Sequence, residues 1–322
     1  MYRAFLKVLC VLLVPCASGI AEDNQYDREQ QVRDGRMLVV NISRQFSETG
    51  RQNTVEWITA LSDSLHSVYG RWPRRQWEVR VSPAPARGDD PIPWAEVKRG
   101  EVDRINFYIA VGATAAELKH AWTGYHEVAH LLIPYQGYGD AWFSEGLASY
   151  YQNVLQARGG ILDEREMWQK LYEGYQRGLA DSRFADKTLV DVSDQMRLQG
   201  GFMRVYWSGA WYFLAADTRL RQQSRGALTL DLALEKLNAC CADQSLSVPQ
   251  MVRKLDDLNR VLLFQPLYDQ LIESREVPSF DSIFASLGIS VLAGEVQLQH
   301  RGPGIDIRRG IAQGATPSRE GL

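Results

Sequence analysis

The feature that most narrows what this chain can fold into is a pair of histidines four residues apart with a glutamate between them, His126-Glu127-Val128-Ala129-His130. Residues i and i+4 share one face of an α-helix, so both imidazoles point the same way, one turn apart. Two imidazoles so placed can ligate one Zn²⁺ at about 2.0–2.1 Å each. Glu127 then stands where a carboxylate can accept a proton from a metal-bound water. The flanking residues read as helix. Thr114-Ala115-Ala116-Glu117 is a capping-box pattern. Leu118, Trp122, Tyr125, Val128, Ala129 and Leu132 form an apolar side, and Pro134, Gly137 and Gly139 end the run. A single helix from Thr114 to Pro134 is therefore expected.

A catalytic zinc takes three protein ligands and keeps one position open for water. Glu145 is the best third ligand. Asp140 reads as the N-cap of a second helix that runs to about Ala157 and stops at Gly159-Gly160. A short loop makes two helices antiparallel neighbours, which turns Glu145 toward the histidines. The apolar neighbours Trp142, Phe143, Leu147 and Tyr150 argue against a fully solvated helix. His120 lies six residues before His126, on the opposite side of the expected helix, and is set aside. His66 and His300 stay open as alternatives.

These residues carry a resemblance. His126-Glu127-x-x-His130 followed by Trp142-Phe143-Ser144-Glu145-Gly146-Leu147-Ala148-Ser149-Tyr150-Tyr151 resembles the gluzincin metallopeptidases, in particular the leukotriene A4 hydrolase-type aminopeptidases and the glycyl aminopeptidases. Their second motif reads W-x-x-E-G-x-x-S/T, and its Glu is the third zinc ligand. Tyr206-Trp207-Ser208-Gly209-Ala210 is similar to their Tyr-x-x-Gly-Ala segment, whose Tyr donates a hydrogen bond to the oxyanion. The resemblance covers roughly residues 105 to 290. It implies an α+β, thermolysin-like zincin fold, with a small α/β N-terminal lobe, a larger mainly helical C-terminal lobe and the zinc between them. It also implies one Zn²⁺ on His126, His130 and Glu145, catalysis by Glu127 and Tyr206, and Ser149 supporting the ligands from behind. In such folds the strand before the zinc helix is an edge that holds an extended substrate, which would place Phe107, Ile109, Val111, Gly112 and Ala113 along the cleft. A core strand is the alternative. The aminopeptidases also have a Gly-rich segment whose Glu grips the substrate's free amine, about two dozen residues before His126. This chain reads Gly100-Glu101-Val102-Asp103-Arg104 there, so Glu101 or Asp103 would have to serve, and endopeptidase cleavage stays open. Neither the N-terminal β-domain of the larger relatives nor a PDZ domain is expected.

The chain has 322 residues, enough for one large domain. Residues 1–21 read as a secretory signal: basic Arg3 and Lys7, an apolar run from Val8 to Val14, and Gly19-Ile20-Ala21 before the cut. The rival reading, a lipoprotein with Cys16 acylated, is disfavoured by Pro15. An exported chain, periplasmic or secreted, is expected, with no integral membrane segment after cleavage. Losing Arg3 and Lys7 lowers the basic count from 36 to 34 against 39 acidic residues, a net charge near −5. No basic run dominates; Arg71, Arg74 and Arg75 around Trp72 read as a solvated turn, so nucleic-acid binding has no support. Of four cysteines, Cys10 and Cys16 leave with the signal. Cys240 and Cys241 are adjacent, a disulfide between them would close almost no loop, and two buried thiols at a helix end are expected.

Before the zinc motif, residues 22–36 read as a loose terminus and Arg36 to Arg44 as a strand. Residues 53–69 form an amphipathic helix by the spacing of Val55, Ile58, Leu61, Leu65 and Val68. Trp77 to Val81 and Ile105 to Val111 are strands, with a Pro- and Gly-rich loop from Pro83 to Pro93. After it, Asp163 caps a helix and residues 180–200 are an irregular segment. A helix dense in aromatics runs from about Phe202 to Leu220, and further helices start near Asp231, Pro249 and Gln265. The expected catalytic domain spans 22–322, divided into a lobe over 22–113, a helical lobe over 114–293 and a tail over 294–322. The expected function is zinc-dependent hydrolysis of peptide substrates, by amino- or endopeptidase cleavage. The alternatives are a zinc hydrolase of a non-peptide substrate and a non-catalytic peptide-binding protein on the same fold.

Overall fold

A computed structural model describes residues 25–85, 87–137 and 139–314, so the expected signal segment lies outside the described residues. The N-terminal lobe is a five-stranded sheet in the order β1-β2-β3-β5-β4. β1 (Tyr26–Arg33) and β2 (Arg36–Ser43) form an antiparallel hairpin. Their turn is Asp34-Gly35, both at positive φ, the backbone that a tight hairpin turn requires. β3 (Gln76–Ala84) is parallel to β2 and to β5 (Asp103–Ala110), and β4 (Trp94–Lys98) adds antiparallel to β5. The sequence therefore hides two strands: β1 lies where a loose terminus was expected, and β4 is the short half-exposed run after the Pro-rich loop. Both are edge strands with one paired side, which leaves little periodic burial to read.

Helix α1 (Glu48–Tyr69) crosses one face of the sheet, capped by Ser47 and stopped by Gly70 in the left-handed conformation. It buries Trp57, Ile58, Leu61, Leu65 and Val68. The helical lobe follows. α2 (Ala115–His120) and α3 (Trp122–Ala129) lead into a 3-10 turn, His130–Leu132. Then come α4 (Ala141–Arg158), α5 (Glu164–Ala180), α6 (Leu189–Gln199) and α7 (Phe202–Ser224). α8 (Leu230–Cys241), α9 (Val248–Asn259), α10 (Phe264–Ile272) and α11 (Asp281–Ser286) complete the bundle. The segment expected to be irregular over 180–200 contains α6, which Thr188 caps. The expected tail is also built in. β6 (Ile289–Leu292) pairs with β7 (Glu295–Leu298), and α12 (Ile305–Gln313) docks through Arg308, whose guanidinium donates to Glu164 and to the Gly288 carbonyl. Among the described residues no helix is long and apolar enough to cross a membrane. Cys240 and Cys241 are joined by a disulfide, not held as two thiols. Cys241 is buried but Cys240 faces solvent, so the pair sits at an accessible helix end.

α4 and α7 pack against each other more extensively than any other helix pair, and two glycines decide how closely. A Cβ built on Gly146 would lie 2.3 Å from Gly209 Cα, and one on Gly209 would lie 2.0 Å from the Trp142 carbonyl oxygen. The backbones touch there, and no larger residue fits. Glu145 precedes one glycine and Tyr206 lies one turn before the other, so the crossing sets the distance between these two side chains.

Candidate metal centre

The site grows from the helix ends. The Thr114–Glu117 capping box is present, but the expected single helix breaks at Ala121, whose ψ of 122° is extended. The second histidine therefore stands on the 3-10 turn that follows α3. Both imidazoles still converge, with ring centroids 5.1 Å apart. Trp122, expected on the buried side, is 48% exposed and stands edge-on to His126 at 5.5 Å. Arginines fix the far end of this helix. Arg99 donates to the His130 carbonyl, Arg74 donates to the Ile133 carbonyl at 2.7 Å, and Asp103 pairs with both guanidiniums at 2.8 Å. Cations at terminal carbonyls satisfy groups that the helix leaves unpaired.

Glu145 comes from α4. Its first turn is capped by Ser193 of α6, whose Oγ accepts from Trp142 N at 3.0 Å. Asp140, the expected cap, is in the left-handed region and accepts from its neighbour Trp142 Nε1 instead. Glu145 Oε2 lies 3.1 Å from His126 Nε2 and 3.8 Å from His130 Nε2. One ligand atom from each of these three residues falls within a 4.8 Å cluster. Tetrahedral ligation at 2.0–2.1 Å would set ligand atoms about 3.3 Å apart, so the partly buried His₂Glu donor set fits one zinc ion. His120 and His300 are exposed, and His66 pairs with Asp34 at 2.8 Å, so none of the alternatives joins the cluster.

His126 is oriented from behind by Gln152, whose Oε1 accepts from Nδ1 at 2.9 Å and leaves Nε2 facing Glu145. The resemblance implies Ser149 for this role. Residues 145, 149 and 152 share one face of α4, but the hydrogen bond to His126 comes from Gln152, while the Ser149 carbonyl accepts from Asn153 Nδ2. Only the i, i+4, i+7 spacing pointed to Gln152. Tyr206 stands at the site: its ring stacks on His126 with centroids 5.7 Å apart, and its hydroxyl hydrogen-bonds Glu145. Phe202 packs edge-on against Tyr206.

Charges here are strongly coupled. Burial pushes Glu127 up to about 7 and His130 down to about 3. Burial also opposes the charge of Glu145, but His130, His126 and Tyr206 outweigh it and hold the carboxyl down at about 2. Burial lowers His126, yet the Glu145 carboxylate more than offsets it and the net shift is upward. The metal-free site thus keeps a proton between His126 and Glu145, the one that a cation would displace.

The expected substrate strand is overturned. β5 is hydrogen-bonded on both sides, by β3 and β4, so it has no free edge. Phe107 and Ile109 point into the core, and Ala113 is buried too. Val111 and Gly112 are exposed at the loop beyond the strand. The free edge belongs to β4. It packs against α3, the helix that carries His126 and Glu127, which places β4 beside the site. Asp103 is spent on Arg74 and Arg99, and Glu101 is exposed in a turn.

The description of the M61 glycyl aminopeptidase family matches residues 110–219. That third of the chain holds the three candidate ligands, Glu127, Gln152 and Tyr206. The fold is similar to an aminopeptidase N family protein from Idiomarina loihiensis, with TM-score 0.58 and 15% identity over 83% of this chain and 50% of that one. It is also similar to an M1 zinc metallopeptidase variant from Deinococcus radiodurans bound to a Tyr-Ser-Ala substrate, with TM-score 0.51 and 14% identity over 79% and 53%. The resemblance to the gluzincin metallopeptidases holds. It rests on the matched segment and on a shared zincin fold, and the chain spans about half the length of these solved structures. A comparison with curated proteins finds no match.

Proposed function

We propose that this protein is a zinc-dependent peptidase in which Glu127 is the general base. The observation that carries the reading is the convergence of His126, His130 and Glu145 in one partly buried cluster with Glu127 beside them. A ligand set alone would serve a binding protein; the extra carboxylate, held near neutrality by burial, serves proton transfer. A zinc ion held by the three ligands would supply Lewis acidity and a water acidified toward a pKa of about 7. Glu127 accepts a proton as the scissile carbonyl is attacked and returns it to the leaving amine. The Tyr206 hydroxyl, which donates to Glu145 in the resting site, is a second donor for developing oxyanion charge. Gln152 fixes the His126 tautomer.

Peptide substrates fit the free edge of β4, which offers unpaired backbone groups to an extended chain. Trp94 on that edge is 61% exposed, and Trp122 and Phe202 add apolar surface near the histidines. The aminopeptidase reading requires an acid for the substrate ammonium. Glu96 is the acid on this edge; it pairs with Lys98 at 2.7 Å and accepts from Asn106, so it would serve by exchanging Lys98 for the substrate ammonium, whereas Asp103 is held between two arginines. Export through the N-terminal signal remains part of the proposal.

The test is zinc content by mass spectrometry for the wild type, Glu145→Ala and Glu127→Gln, with turnover of free and N-acetylated peptides. One zinc per wild-type chain, loss of zinc in Glu145→Ala, and retained zinc with a loss of turnover of about 10²- to 10⁴-fold in Glu127→Gln are expected. A zinc-replete Glu127→Gln that cleaves like the wild type refutes the mechanism. Loss of the free-peptide preference in Glu96→Gln supports the aminopeptidase reading, and equal cleavage of blocked peptides by the wild type removes it.

A further inference from the structure

Of the three arginines that read as a solvated turn, Arg75 is exposed, Arg71 half-buried and Arg74 buried. They belong to a four-arginine cavity of about 330 Å³ on the side of the sheet where β2 and β3 begin. The fold assembles it from three places. Parallel pairing sets Met37 opposite Gln76 and joins Met37 N to the Arg75 carbonyl, which puts Arg36 beside Arg75. The α1–β3 connection adds Arg71 and Arg74, and the end of α8 adds Asn238 and Asp243. We propose that this cavity is a binding site for a small, multiply charged oxyanion, of the phosphate or polycarboxylate kind, held by Arg36 and Arg75 with Asn238 as a neutral donor.

Two of the four guanidiniums are already committed. Arg71 pairs with Glu235 at 3.0 Å, and Arg74 pairs with Asp103 and donates to the Ala242 and Ile133 carbonyls. Among the described residues neither Arg36 nor Arg75 has a carboxylate at ion-pair distance, and the one acid that lines the cavity, Asp243, has no ion pair. Asn238 supplies an independent sign. It is 3% exposed, it lines the cavity, and its Nδ2 has no acceptor. A buried donor without a partner is unfavourable, and an acceptor-only ligand seated against Asn238 would supply one. Like charge gathers at the same place: burial and then the neighbouring Arg71 and Arg75 push the Arg36 guanidinium down from its usual range, more than Asp34 and Glu235 offset. Arginine forks match the geometry of phosphate and carboxylate oxygens. The catalytic cluster stands apart from the cavity, on the other side of the Arg74–Asp103–Arg99 network.

The experiment is calorimetric titration of the zinc-loaded protein with inorganic phosphate and, separately, citrate, at an ionic strength held constant with chloride. Saturable binding of one anion per chain is expected, weakened at least tenfold in Arg36→Ala and lost in Arg36→Ala/Arg75→Ala, with zinc content unchanged. Tighter phosphate assigns the site to phosphate or phosphomonoesters; tighter citrate assigns it to polycarboxylates. A second reading needs no variant: the favoured anion should protect Arg36 and Arg75, but not Arg28 on β1, which is exposed like Arg75 but lies outside the cavity, from phenylglyoxal, as read by peptide mass spectrometry. No saturable binding of either anion above the chloride background overturns the proposal. So does undiminished binding in the double variant, or protection that falls outside the cavity arginines.

Discussion

Gly209→Ala sets two physical rules against each other. Helix propensity favours Ala over Gly by about 1 kcal/mol in a helix interior, so propensity alone makes this substitution stabilising. Packing gives the opposite sign. The new methyl would stand 2.0 Å from the Trp142 carbonyl oxygen and 2.7 Å from Gly146 Cα. Ordinary contact begins near 3.4 Å, so α4 and α7 must part by about 1.4 Å at their crossing. Neither obstacle is a side chain that can rotate away. Overpacking costs about 1–3 kcal/mol, and a backbone obstacle puts this case at about 3. Subtracting the propensity gain leaves a loss of about 2 kcal/mol.

Urea unfolding reads this directly. For a chain of this size with m about 3 kcal/mol/M, the midpoint should fall by about 0.7 M with m unchanged. Activity should suffer separately, because the same separation carries Tyr206 away from Glu145, and an ångström of misplacement can cost about 100-fold. A midpoint equal to or above the wild type would refute the backbone-contact argument and leave propensity in charge.

Other outcomes follow from the same geometry. Gln152→Leu should weaken zinc binding about 10- to 100-fold in chelator competition, because Nδ1 of His126 loses its acceptor; an unchanged affinity would show that the tautomer is set elsewhere. Tyr206→Phe should lower kcat about tenfold or more with zinc content intact, and an unchanged kcat would confine Tyr206 to supporting Glu145. The metal-free protein should lose stability steeply below about pH 4.5. In that range the unfolded chain protonates Glu145 and His130, whose ordinary values are 4.5 and 6.5, while the folded chain holds them down at about 2 and about 3. Two protons more in the unfolded state give a slope of about 2.7 kcal/mol per pH unit. Between about pH 5 and 6.5 the slope should be nearly flat. There the folded chain keeps a proton on Glu127, raised to about 7, and one on His126, which balance the two histidine protons of the unfolded chain. Stability that falls steadily from pH 6.5 downward would contradict the Glu127 assignment.

The legible parts of the site are those that helix periodicity dictates. His126, Glu127, His130 and Glu145 follow from spacing and from two helix boundaries, and the helix boundaries near 164, 202, 230, 248 and 264 follow from caps and apolar patterns. What escaped depends on contacts between elements distant in sequence. Ser193 caps a helix fifty-one residues before it, which no local pattern encodes. Trp122 has the right spacing for the core but faces the site, because the helix breaks at Ala121 and rotates the second piece. β4 leaves no signal, and β5 reads as the edge, because a short half-exposed strand carries no alternation strong enough to read.

The glycines show the same division from the other side. Gly146 and Gly209 stand in the two motifs that carry the resemblance, beside a ligand and one turn after a tyrosine. Each looks like a weakness in its own helix, where Gly costs about 1 kcal/mol against Ala. Set against each other they are the contact that lets the helices of Glu145 and Tyr206 meet. The motif therefore encodes a distance as well as a ligand. A chain with all the chemical residues but alanine at either position would hold its zinc ligands and lose the tyrosine.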